Sequence, residues 1–137
     1  MKALIAGPAV VLVALLGAPA AIAEPDAGVS VSPPYVDHTE WVQWGGATSL
    51  RVYPTPAGRM ASRQPGITAD QAWAEVLALT PDADTPGMRA QFVCHWHLAE
   101  IGYPGKTSWN LEPWRPVVGD TQMLASGCNP GGAEEPF

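Results

Sequence analysis

The sequence is short of charge, of cysteine and of long apolar runs. Only 15% of its 137 residues are charged, 7 Lys and Arg against 13 Asp and Glu, a formal net charge of −6. An acidic surface repels phosphate backbones, so general nucleic-acid binding is not expected. No apolar run after Leu16 approaches the roughly 20 residues that cross a bilayer, so no transmembrane span is expected. There is no G-x-S-x-G, Walker loop, H-E-x-x-H or C-x-x-C. The commonest motif-bearing hydrolases, nucleotide enzymes and zinc proteases are thereby removed. What remains is a 47% hydrophobic chain of single-domain length, free of repeats and low-complexity tracts.

The N-terminus has three parts. Lys2 is a positive start, residues 3–16 are apolar, and residues 17–23 are mostly small and end Ala21-Ile22-Ala23. That is the pattern of a secretory signal peptide, and its apolar run of about 14 residues is too short to span. Cleavage before Glu24 is predicted, with the protein secreted and open to association with the envelope. The expected organisation is a signal peptide over 1–23, a flexible leader over 24–37, a globular domain over 38–131 and a loose tail over 132–137.

Export gives the two cysteines a meaning. In an oxidising compartment Cys94 and Cys128 read as one disulfide, worth about 3–4 kcal/mol through loop closure in a disputed model. The competing reading pairs a reactive Cys94 with His95 as its base, but neighbours on a helix do not face each other.

The pattern predicts an α+β domain. Residues 39–44 and 48–53 alternate around Gly45-Gly46, as a β-hairpin requires, and Pro54 stops the second strand. Residues 56–66 read as loop. A helix is predicted over 67–80, with Thr68 and Gln71 as a capping box and Asp70 in the first turn. Thr85-Pro86 reads as N-cap and N1 of a second helix. Residues 91–98 fit two periods: Met88, Phe92, His95 and Ala99 lie at helical spacing, while Phe92, Cys94, Trp96 and Leu98 alternate. Helix and strand both stay open there. A short strand is expected at 108–111, and Asp120 caps a last helical turn through Leu124. Cys128 ties this extended C-terminal segment to the second helix.

Of six tryptophans, Trp73 and Trp96 fit helix faces and a core. Trp41, Trp44, Trp109 and Trp114 fall in strand or loop segments and are candidates for an aromatic binding platform. His95 and His97 form an H-x-H pair, which converges on a metal only from a strand, and no third ligand has a fixed spacing to them. No metal and no cofactor is expected. The segment 106–116 is dense in polar and aromatic groups. His95, Glu112 and Lys106, with Arg51, Arg59 and Arg115, would make an acid–base set with cations for an anionic transition state. The plainer alternative is that these charges pin loops whose backbone groups need partners.

Several strings belong together: Trp41-x-x-Trp44-Gly-Gly, Ser49-Leu-Arg-Val-Tyr-Pro-Thr55, Gly58-Arg59, Gln91-x-x-Cys94-His95, Lys106-x-x-Trp109-Asn-Leu-Glu-Pro-Trp-Arg-Pro116 and Cys128-Asn-Pro130. The chain resembles, over about 41–130, a domain of unknown function in exported actinobacterial proteins. The resemblance implies export and a self-contained domain, and carries no activity with it.

Two functions follow. The first is a small exported binding module, whose partner is a cell-wall glycan or another exported protein. The second is a secreted hydrolase resembling a ribonuclease toxin, which requires His95 and Glu112 to share a cleft.

Overall fold

The computed structural model describes residues 31–133, together with 7, 8, 11, 12, 14 and 17–20. The signal-peptide cleavage site, most of the leader and residues 134–137 lie outside the described residues. Among the described residues no helix is long and apolar enough to cross a membrane.

The hairpin forms where the Gly-Gly pair allows it. Strand β1 (Val36–Trp44) and strand β2 (Ala47–Pro54) pair antiparallel from Trp44↔Ala47 to Val36↔Pro54. Gly45 and Gly46 both take positive φ, 55° and 87°, the requirement of the tight turn whose twist matches two strands. β2 also pairs antiparallel with β3 (Trp109–Leu111), so the sheet order is β1-β2-β3. β2 is therefore central, and Ser49 to Val52 are buried on both faces.

The helices cover one face. Helix α1 (Pro56–Ala61) follows β2, then α2 (Ala69–Leu79), a 3-10 turn (Pro81–Ala83), α3 (Met88–Gly102) and, after β3, α4 (Asp120–Ala125). Leu50, Val52, Trp109 and Leu111 of the sheet pack against Ala72, Trp73 and Val76 of α2 and Met88, Phe92 and Trp96 of α3. Phe92 stands 5.5 Å from Trp73 and 6.1 Å from Trp109, ring centre to ring centre, and Trp96 meets Trp109 edge-on at 6.2 Å. Each such large apolar side chain contributes roughly 1.5–3 kcal/mol by leaving water. Trp73 and Trp96 are core residues, as their helical spacing implies.

The fold is the expected α+β domain, and several boundaries move. The first strand begins at Val36. Tyr35 and Val36 are buried in the main core, Tyr35 edge-on to Trp96, and both backbone N–H groups donate to the Glu75 carboxylate, at 2.7 and 2.9 Å. Part of the expected loop at 56–66 is helix α1. Thr55 accepts from the Gly58 N–H and Pro56 supplies N1, the same signature as Thr85-Pro86. Gly58 is required there, since a Cβ would lie 2.1 Å from the Tyr35 carbonyl oxygen. Thr68 does stand at the N-cap of α2, yet its side chain makes no cap bond. Thr85 and Pro86 form the turn before α3, whose N-cap is Gly87 at φ 87°.

Residues 91–98 are helix. Cys94 on α3 is bonded to Cys128, with Cα atoms 5.6 Å apart, and with Met123 they form a second, smaller apolar cluster. Three residues bury little area, so the covalent link is a main attachment of this segment to α3. Cys94→Ser/Cys128→Ser should lower stability by about 3–4 kcal/mol, read as a drop in urea midpoint at constant slope. Amides of α4 should then exchange faster than those of β2.

Candidate functional site

Glu112 follows β3 and is buried. Its backbone N–H donates to Gln91 Oε1 and its carbonyl accepts from Gln91 Nε2, both at 2.9 Å. The carboxamide of α3 thus bonds to the chain as a neighbouring strand would. The carboxylate accepts from Ser49 Oγ at 2.9 Å and from Arg115 Nε at 2.7 Å. Arg115 also donates through Nη1 to the carbonyls of Pro130, at 3.0 Å, and Gly132, at 2.7 Å. One ion pair therefore joins β2, β3, α3 and the C-terminal segment.

A second junction surrounds Glu100. Arg59 Nη1 and Arg63 Nη2 donate to its two oxygens, at 2.5 and 2.7 Å, and the Gly105 N–H reaches one of them at 3.4 Å. Arg59 Nη2 also holds the Lys106 carbonyl at 2.6 Å. Burial pushes the Glu100 pKa up. The hydrogen bonds from Arg59 and Arg63, the Arg59 charge and the Gly105 N–H outweigh it, so the carboxyl titrates below the usual glutamate range.

His95 and Lys106 come together in a groove of about 370 Å³, walled by Leu98, Ala99, Tyr103 and Asn129. His95 is buried, and its Nδ1 donates to the Gln91 carbonyl at 2.8 Å. Among the described residues that line the groove there is no carboxylate. Glu112 and Arg115 lie in their own enclosed junction, and Arg59 is held by Glu100. Arg51 is buried on the central strand. The arrangement puts an imidazole and an ammonium on one groove, while the Glu112 carboxylate that the hydrolase reading assigns to them bonds to Ser49 and Arg115.

α3 turns the H-x-H pair apart, with His95 buried and His97 exposed. Among the described residues no three His, Cys, Asp or Glu side chains gather as metal ligands.

The four candidate tryptophans separate. Trp109 is fully buried, opposite Val52. Trp41 is 36% exposed and faces the helix side of the sheet, where its Nε1 reaches Asp82 at 3.5 Å. Trp44, three residues on, faces the opposite side and is 56% exposed. Trp114, 43% exposed, donates its Nε1–H to the Thr48 carbonyl at 3.0 Å, beside the hairpin end that carries Trp44. The buried Arg115 guanidinium stacks on the Trp114 ring at 4.6 Å and backs it.

Gln91 and Glu100 are the positions that sequence patterning passes over. Each had a signal: a polar residue on a face otherwise apolar. Gln91 sits beside Phe92 in the buried stripe, and Glu100 is four residues beyond Trp96.

A family model described as "Protein of unknown function (DUF2599)" matches residues 36–131. Uncharacterized proteins of Mycobacterium tuberculosis (strain ATCC 25618 / H37Rv) and Mycobacterium bovis (strain ATCC BAA-935 / AF2122/97) are each 63% identical over 148 aligned residues, covering 100% of both chains. An uncharacterized protein of Mycobacterium leprae (strain TN) is 52% identical over 102 residues, 74% of this chain and 83% of its own. No solved structure matches the chain.

Arg115→Met should cost about 3–5 kcal/mol, because it leaves the Glu112 carboxylate buried and unpaired. Glu112→Gln/Arg115→Met should be less destabilised than Arg115→Met alone, and urea unfolding of the four members of the cycle checks this. Glu100 gives a pH signature. Its folded pKa is lowered, so its contribution is complete above the unfolded value and is lost as pH falls through the folded one. Wild type and Glu100→Gln should differ by a constant amount above about pH 5 and converge in more acid solution.

Proposed function

The chain belongs to the family of proteins of unknown function DUF2599, and from that premise we propose that it is an exported, disulfide-stapled binding module. It acts at the cell envelope or outside the cell, and its ligand is a cell-wall glycan. Export is supported by the three-part N-terminal pattern ending Ala21-Ile22-Ala23, with cleavage before Glu24. It is also supported by the Cys94–Cys128 bond, of a kind that persists in oxidising compartments.

One observation carries the binding reading. Trp44 and Trp114 leave large parts of their rings in water although the same chain buries Trp73, Trp96 and Trp109. Neither ring hangs loose. Trp44 is the last residue of β1, and Trp114 is held by its bond to Thr48 and by Arg115 beneath it. Rigid indoles offer apolar area at low entropic cost, and the C–H face of a sugar ring fits such a surface. Trp41 lies on the other face of the sheet and Trp109 inside the core, so the platform is Trp44 with Trp114.

The test is co-sedimentation of the exported protein with an insoluble cell-wall fraction. The recovered protein should begin at Glu24. Trp44→Ala and Trp114→Ala should each weaken retention about tenfold, about 1.4 kcal/mol, while Trp41→Ala should have little effect. A wild-type protein that stays in the supernatant, or substitutions that change nothing, would sink the reading.

A further inference from the structure

The sheet has two edges, and they are treated differently. β3 is three residues long and is clamped at its end by Gln91. β1 is nine residues long and lies at the other edge. The two-residue turn makes Trp44↔Ala47 the first bonded pair, so Val42, Glu40 and His38 bond inward to β2. Thr39, Trp41 and Gln43 then present their N–H and C=O groups outward. Among the described residues these groups meet no backbone or side-chain partner. The alternation is consistent across β2, where Thr48, two residues from Leu50, turns its carbonyl toward Trp114 rather than β1.

Natural sheets blunt long edges with Lys, Pro, bulges or covering segments. Residues 37–44 contain no Lys and no Pro, and the one register irregularity lies at the far end, between Val36 and His38. β1 itself carries no Lys or Arg; Arg51, the register partner of Glu40 on β2, is buried, and the groups in reach of the two strand carboxylates are His38, on Asp37, and the Tyr53 hydroxyl, on Glu40. Asp37 and Glu40 are on the strand, both exposed, and Asp82 stands against Trp41 on the helix side. A second copy would bring the same carboxylates to the seam, and like charges across a strand pair destabilise it. A strand with Lys or Arg opposite Glu40 would neutralise them.

We propose that the open edge of β1 is a strand-addition site for an extended, basic segment of a partner protein. The segment runs along Thr39, Trp41 and Gln43, bonds to their outward backbone groups, and places a Lys or Arg opposite Glu40. Main-chain bonds supply the affinity and the acidic flank supplies the choice of partner. This goes beyond the glycan reading and uses different atoms, so either can fail alone.

The probe is an acetylated and amidated peptide of about eight residues alternating Lys and Val, titrated into the disulfide-bonded protein. Backbone amide exchange is followed by NMR. The Lys peptide should slow exchange at Thr39, Trp41 and Gln43, and the same peptide with Glu for Lys should bind about tenfold more weakly. N-methylation of alternate residues on the bonding edge should abolish the protection, whereas N-methylation of the other edge should preserve it. Glu40→Lys should reverse the preference between the two peptides, and Trp114→Ala should leave it unchanged. The proposal is overturned if the three amides stay unprotected at millimolar peptide, or if both peptides bind alike. It is also overturned if both methylation patterns act alike. Protection that grows with protein concentration in the absence of peptide would identify a second copy as the occupant and overturn it as well.

Discussion

The buried pairing of Glu112 with Arg115 is the constraint on which the rest of the structure leans. Two ions removed from water are expensive, and their attraction offsets that cost only where every remaining donor and acceptor is used. Glu112 meets the condition: Ser49 and Arg115 take its carboxylate, and Gln91 takes both its backbone groups. Arg115 meets it in part: Pro130 and Gly132 carbonyls take Nη1, while Nη2 is buried without a hydrogen-bond partner among the described residues and lies in the guanidinium stacked on Trp114. The pair therefore dictates where β3 ends, how α3 sits along it and where the C-terminal segment runs. Gly131 shows how closely that path is drawn. It takes φ 88°, and a Cβ would lie 2.7 Å from the Pro116 ring.

Two unlike fasteners hold that segment. Arg115 grips it by hydrogen bonds at 130 and 132, and the disulfide anchors it to α3 at Cys128. Between them lies only a small cluster of Cys94, Met123 and Cys128, with Leu98 and Val118 at its margin. Apolar burial alone would not order such a segment against its chain entropy. The Glu100 junction does the same service at the opposite end of α3, where Arg59 reaches from α1 to the turn after the helix. Polar and covalent links thus position what the main core of Leu50, Phe92, Trp96 and Trp109 cannot reach.

How much of this the sequence discloses depends on whether a local rule faces competition. The hairpin is legible because Gly45-Gly46 and the alternation around it agree. Helix α2 is legible because apolar period and Pro81 agree. Helix α3 reads ambiguously for a physical reason. Phe92 and Trp96 face the main core, Cys94 is bonded to Cys128 beside α4, Gln91 faces the segment after β3 and His95 lines a groove with Cys128 and Asn129, so the helix is buried on several sides. Burial on more than one side blurs the single stripe that marks a helix and leaves an accidental alternation. α1 escapes because it is one residue past a strand and only six residues long, although Thr55-Pro56 announces it. The tryptophans cannot be sorted by composition, since exposure depends on tertiary pairing. Trp109 lands opposite Val52 and Trp114 lands beyond the strand's end. The charged candidates have the same problem. Only the fold decides that His95 and Lys106 share a groove while Glu112 and Arg115 close on each other.

The ion pairing also changes what the net charge means. Arg59 and Arg63 are spent on Glu100, Arg89 on Asp70 and Arg115 on Glu112. Two of these carboxylates, Glu100 and Glu112, are buried, so their charge is cancelled inside the molecule. Cations drawn into such pairs no longer screen the acids left outside. Asp37, Glu40, Asp82 and Asp84 stay exposed on and near one sheet edge. At that edge an approaching partner therefore meets mainly exposed carboxylates, Arg51 opposite Glu40 being buried. Such an edge would favour neutral or basic partners over phosphate chains. The two proposed ligands, an uncharged glycan on indole rings and a basic strand along β1, both satisfy that condition.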